Sequence, residues 1–181
     1  MKRILSFSFV VLLLLSGLFL YNGKGYDHVI DSAKLVSYSS ADEVVENSDL
    51  VVVVKKLSDE SVSYDLGDNH FDNFTLSKVE IKKIIKPSEN KILSKGDVIE
   101  ILESEWVDEE AKVVHHLENY KKMEKGKSYT LYLGYNEEVD NYYPIGLVCG
   151  KIPSDANEKM FYGDFQNTQA LDVVEELKKI K

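Results

Sequence analysis

The stretch FTLSKVEIKKIIKP, residues 74–87, restricts the possible folds more than any other part of the chain. Its β-branched residues, Thr75, Val79, Ile81, Ile84 and Ile85, favour a strand. Pro87 ends it by forcing an extended conformation on Lys86. The apolar residues change phase along it. Phe74 and Leu76 stand on even positions, Val79 and Ile81 on odd ones, and Ile84 and Ile85 are adjacent. Strand side chains alternate between faces, so a change of phase turns the oily side over. A small barrel needs such a strand: one ribbon bends to serve two walls, and a bulge at the bend moves the inward positions by one. The pattern predicts that bulge near Ser77 and Lys78, and a second irregularity at Lys82 and Lys83, closer to the rim.

The neighbouring segments supply the other staves. DLVVVVKKLS is too continuously β-branched for an exposed face and predicts a strand covered on both sides. A turn at Lys95-Gly96-Asp97 leads into a strand from Val98 to Glu103. AKVVHHLENYKKM reads as a strand with a following loop. In KGKSYTLYLGY, Tyr129, Leu131, Leu133 and Tyr135 alternate with Ser128, Thr130, Tyr132 and Gly134. YYPIGLVCGKI is another strand, begun at an edge because Pro144 cannot donate to a ladder. EKMFYGDF adds a short one, and the polar DESVSYDLGDNHFDN reads as a loop. Ser40 and Glu43 form a capping box for a short helix carrying Val44 and Val45. At the end of the chain, Leu171, Val174, Leu177 and Ile180 make one apolar stripe on a helix capped by Asn167 or Thr168. Five or six strands with turns between them predict a mainly β, closed or half-closed structure with one helix at each end. The expected divisions are 1–25 as signal peptide or membrane anchor, 26–39 as tether, 40–165 as the β domain and 166–181 as the C-terminal amphipathic helix.

The first segment decides the compartment. Lys2 and Arg3 precede an uncharged run that starts at Ile4 and ends at Tyr21. At about 1.5 Å per residue that run reaches roughly 27 Å, close to a bilayer core. The flanking positive charges hold the N-terminus in the cytoplasm and send the remainder across. Export is therefore expected, with the run either cut off as a signal peptide or kept as a single anchor in the cell membrane. No lipoprotein cysteine follows it. The formal charge is −9, and all 31 Asp and Glu residues lie after residue 26. An acidic domain has no counterions to release from a phosphate backbone, which argues against nucleic-acid binding. Cys149 is the only cysteine, so burial alone must hold the core.

The series SDLVVVVKKL, FTLSKVEIKKIIKP, KGDVIEIL, MEKGKSYTLYLGY and YYPIGLVCGKI resembles small exported proteins of Gram-positive bacteria with an OB-like barrel, the barrel also found in netrin-like and metalloprotease-inhibitor domains. The resemblance spans about residues 42–152. It implies a five-stranded Greek-key barrel and no enzymatic activity. Inhibitors of that fold chelate zinc through an N-terminal cysteine, which this chain lacks near any mature N-terminus, so that mechanism does not carry over.

Candidate chemistry is sparse. Cys149 with His115 or His116 would be the elements of a small extracytoplasmic hydrolase. The apolar neighbours of Cys149 instead favour a buried, unreactive thiol. His115 and His116 point to opposite faces of a strand and do not suit one metal ion. Asp108, Glu109 and Glu110 lack ligand spacing, and Asp65, Asp68, His70 and Asp72 do not form an EF-hand loop. No metal or other cofactor is expected. The aromatic residues offer more: Trp106, Tyr132, Tyr142 and Tyr143 lie on or beside strands, where exposed rings would stack against a sugar or peptide. The expectation is a non-enzymatic binding module outside the membrane, whose partner is a cell-envelope protein, a peptide or a glycan.

Overall fold

The computed structural model describes residues 25–34, 36–67 and 70–180. The run from Ile4 to Tyr21 and Asp68 lie outside the described residues, as do the side chains of Asp65 and His70. Among the described residues no helix is long and apolar enough to cross a membrane.

The chain is mainly β. Its strands are β1 (Asp27–Asp31), β2 (Leu50–Gly67), β3 (His70–Lys86), β4 (Val98–Glu103), β5 (Glu105–Asp108), β6 (Val113–Leu117), β7 (Ser128–Asn136), β8 (Asn141–Pro144) and β9 (Lys151–Pro153). Helix α1 (Ala41–Asn47) precedes β2, and α2 (Thr168–Leu177) follows β9. A three-stranded sheet has the order β1-β6-β5, and a six-stranded sheet the order β2-β3-β4-β8-β7-β9. β2 also pairs with β7, so the larger sheet curls into a partly closed ring. Its weakest joint is β4–β8, a single parallel pair, Ile101 with Tyr142.

Two cores result. Inside the ring, Leu50, Val52 and Val54 of β2 meet Val79, Ile81, Ile99, Ile101, Leu131 and Leu133. On its outer side, Val51 and Tyr132 pack against Val44 of α1 and Val173, Val174 and Leu177 of α2. The first residues of β2 are thus covered on both faces, as their continuous apolar run requires. Ser40 caps α1 by accepting from the Glu43 amide at 3.2 Å, and Glu43 answers by accepting from the Ser39 amide at 2.7 Å. Asn167 caps α2. The apolar side of α2 is Val173, Val174 and Leu177, whereas Ile180 lies past its end and is 37% exposed.

The expected phase change in β3 occurs at Lys82 and not near Ser77 and Lys78. Thr75, Ser77, Val79 and Ile81 are all buried, so odd positions face inward as far as Ile81; past Lys82, Ile84 packs inside the ring and Ile85 on the helix side. The apolar pattern breaks because two inward positions are polar. Ser77 donates to Glu103 Oε1, and Thr75 donates to the Glu105 carbonyl. The slip near residue 78 belongs to the neighbouring strand: Lys56 pairs with Val79 and Ser58 with Lys78, leaving Leu57 as the extra residue in β2. The second irregularity falls where expected, since Lys82 is left over between the Val54–Ile81 and Val53–Lys83 pairs.

The inward polar residues surround a buried ion cluster. Lys56, wholly buried, donates to Glu103 Oε1 at 3.0 Å and to the Met123 carbonyl at 2.9 Å, and pairs with Asp59 at 2.7 Å. The other Glu103 oxygen accepts from the Tyr120 hydroxyl at 2.9 Å and the Met123 amide at 2.7 Å. Lys151, also buried, lies 4.2 Å above the Tyr120 ring. Burial pushes the Glu103 carboxyl up, but Lys56, Lys151, Ser77 and the Met123 amide outweigh it and hold the group below the ordinary carboxylate range.

Other expectations need correction. The interval read as a loop is mostly the outer part of a long hairpin, paired as far as Gly67 and His70. Alternating Val62 and Tyr64 support it, with Tyr64 stacked on Phe74 at 5.1 Å. The stretch read as a tether contains β1, parallel to β6. EKMFYGDF forms no strand and contributes only the Tyr120–Phe161 bridge. YYPIGLVCGKI is two short strands separated by an excursion. Ile145 donates to the Tyr132 carbonyl at 3.0 Å, and Tyr132 donates to the Gly150 carbonyl at 2.9 Å, so the chain leaves and rejoins β7 across one residue. Only glycine closes that excursion, because a Cβ at Gly150 would lie 2.5 Å from the Ile145 nitrogen.

Candidate functional site

The four aromatic residues expected to form a stacking platform do not come together as one. Tyr132 is buried between the ring and the helices, and Tyr142 is buried inside the ring. A period-2 pattern places Tyr132 opposite the ring interior, but it does not reveal that α1 and α2 cover that face. Tyr143 is 42% exposed on β8. Trp106 is half-buried on β5 and stacks on His115 with ring centroids 4.8 Å apart.

The thiol and the imidazoles are separately engaged. Cys149 lies in the 145–150 excursion, buried in the helix-side core, and its hydrogen-bond partner is the Ala170 carbonyl at 4.0 Å. Burial pushes its thiol up to about 11. The adjoining cavity, lined by Tyr38, Gln169 and Ala170 among others, holds about 20 Å³, room for a water and not for a substrate. His115 faces Asp31 at 2.8 Å on one side of β6. His116, on the other side, is buried against His28, Tyr120 and Glu105. The opposite orientation read from sequence therefore holds. A thiol in this environment should alkylate slowly. Iodoacetamide at pH 7.5 is expected to modify Cys149 at least ~100-fold slower in the native protein than in urea, followed by intact mass; equal rates would contradict the burial described.

A concavity of about 410 Å³ opens at the weak joint of the ring. Its apolar floor is Leu93, Val98, Ile99 and Tyr142. Two ion pairs stand on its rim. Lys91 meets Asp140 at 2.6 Å, and Lys78 meets Glu100 at 3.5 Å. Lys91 also sits 5.2 Å above the Tyr135 ring and 5.9 Å from that of Tyr142. Asp140 accepts from both Lys91 and the Tyr135 hydroxyl, and these two donors lower its carboxyl. β4 pairs with β3 along its whole length, but with β8 only at Ile101. Val98, 52% exposed, thus stands on a strand whose second edge is almost unpartnered. This groove has no local signature in the sequence, because its Lys91–Asp140 pair joins two loops 49 residues apart. Tyr142, expected as an exposed ring, is instead part of the floor.

Comparison of the chain with protein-family models, with curated proteins and with solved structures finds no match.

Proposed function

We propose that this protein is an exported, non-enzymatic binding module with an OB-like ring, and that its groove takes an extended peptide. Support for the OB-like reading comes from the strand order β2-β3-β4-β8-β7, returning to β2, with the β4–β8 joint parallel. OB folds bind ligands on the face of their second and third strands, beside the loop between the fourth and fifth. In this ring those elements are β3, β4 and the β7–β8 turn, which supply Lys78, Val98, Glu100 and Asp140 to the groove. The export reading rests on the apolar run from Ile4 to Tyr21.

The observation that carries the peptide reading is the edge of β4, paired with β8 only at Ile101, next to an apolar floor. An extended peptide gains main-chain hydrogen bonds from such an edge and places alternate side chains on the floor. The paired charges on the rim suit a neutral, dipolar amide backbone better than a polyanion. A glycan would need a broad exposed ring, and Tyr142 does not provide one. NMR titration with a pool of extended peptides is expected to shift residues 78, 91–93, 98–100 and 140–142. Val98→Asp should weaken that binding at least about fivefold. Shifts confined to Trp106 and Tyr143 on adding glycan fragments, with none at β4, would reject the peptide in favour of a sugar. No response to either class would reject the groove.

A further inference from the structure

We infer that His28 and His116 form an acid-released clasp that fastens β1 to the rest of the molecule. The clasp shares no residue with the groove. His28 Nδ1 and His116 Nε2 are 2.8 Å apart, and Tyr162 stacks on both rings, with centroids 4.5 and 4.0 Å away. His116 Nδ1 lies 3.0 Å from the Tyr120 carbonyl and 3.1 Å from Glu105 Oε2. Both are acceptors, so Nδ1 carries a proton whatever the ring's charge. Exactly one more proton then fits between the two rings. Either His28 donates to a neutral His116, or a charged His116 donates to a neutral His28. A second charge would set N–H against N–H at 2.8 Å. The closed clasp therefore holds at most one positive charge, whereas two separated imidazoles carry two below about pH 6.

The surroundings pull both ways, and His28 itself is exposed. Glu105 of β5, 7% exposed, faces His116 and stabilises the first charge. Beyond it lie Tyr120, Glu103 and, through its amide, Lys122. Around His28 the facing titratable groups are His116 of β6 and Tyr162. On the other face of β1, Asp31 pairs with His115 at 2.8 Å, a bond that strengthens in acid and opposes release. At the strand's two ends stand Asp27 with Glu109 and Lys112, and Glu118, which accepts from the Ala33 amide. Opening takes up one proton net, so the closed state is favoured at neutral pH and its advantage falls as pH drops. Released, residues 25–36 become a spacer able to reach up to about 40 Å, because Tyr38 and Ser39 stay held by Gln169 and the α1 cap.

The test is hydrogen exchange on the full chain in detergent from pH 7.5 to 5.0, corrected for intrinsic rates. The opening constant of β1 amides should rise about tenfold per pH unit below about 6, while β7 stays protected. His28→Phe, which keeps the stack without the proton conflict, should flatten the profile, and His115→Gln should steepen it. NMR titration of the wild-type rings gives a reading that needs no variant. The expected result is one charge gained before release and the second only with it. Two independent titrations near pH 6.5 with β1 still docked, or β1 protection that does not change with pH, would overturn the clasp.

Discussion

Replacing Glu103 by alanine is expected to destabilise the protein by about 3–5 kcal/mol, read from denaturant unfolding at pH 7. The carboxylate is fully buried and bonds to Lys56, Ser77, Tyr120 and the Met123 amide. Its loss strands a buried ammonium whose remaining anion is Asp59, together with three donors facing an empty space. Removing both charges should hurt less than the separate losses suggest. Lys56→Met with Glu103→Leu leaves no isolated ion, so the double variant is expected to recover much of the loss, giving a coupling of at least ~1 kcal/mol. A Glu103→Ala variant within ~1 kcal/mol of the parent would mean that the cluster is solvated and not sealed in the ring.

Stability is also expected to rise between pH 8 and 9, level off, and fall above about pH 10. Burial pushes Lys151 down to about 8, against the pull of Glu103, Glu105 and Glu158. Above that pH the folded lysine is neutral while the unfolded one still binds its proton up to about 10.4. The unfolded state then holds more protons, so stability increases with pH in that window. The thiol of Cys149, pushed up to about 11, works the other way from about pH 9, because the unfolded thiol ionises first. The buried phenols of Tyr120 and Tyr129, raised above their ordinary range, add to the decline once unfolded tyrosines ionise near pH 10. Melting temperatures at constant ionic strength would show the rise, worth about 1 kcal/mol per pH unit at most. Lys151→Met should abolish it. A profile in which that variant still gains stability from pH 8 to 9 would assign the effect to other groups.

The legible parts of the sequence were those set by near neighbours. The turn at residues 95–97 and the alternation that follows place β4 at both ends, and the alternation from Ser128 places β7. The Ser40 box and the leftover Lys82 are likewise local. The misread phase of β3 has a different origin. Facing was assigned by oiliness, and Thr75 and Ser77 face inward because Glu103 and Glu105, on the chain's next strands, need donors. Lys56 and Glu103 are 47 residues apart, and nothing in either neighbourhood marks them as partners. β1 lies in the stretch expected as a tether for a similar reason. Its two apolar residues, Val29 and Ile30, are adjacent and exposed, so they do not alternate, and the segment becomes a strand only against β6, with His28 and His116 separated by 88 positions.

The β2–β7 seam has a kinetic consequence. Leu50 finds Leu133 as its partner, so the ring cannot shut until nearly three-quarters of the chain has been made. The β2–β3 hairpin, whose arms are adjacent in sequence, is ready long before. Folding should thus be limited by a distant search, of the kind that slows proteins rich in non-local contacts. During that interval the Val51–Val54 edge waits without its second neighbour, which makes this ribbon the place where nascent copies would stick to one another.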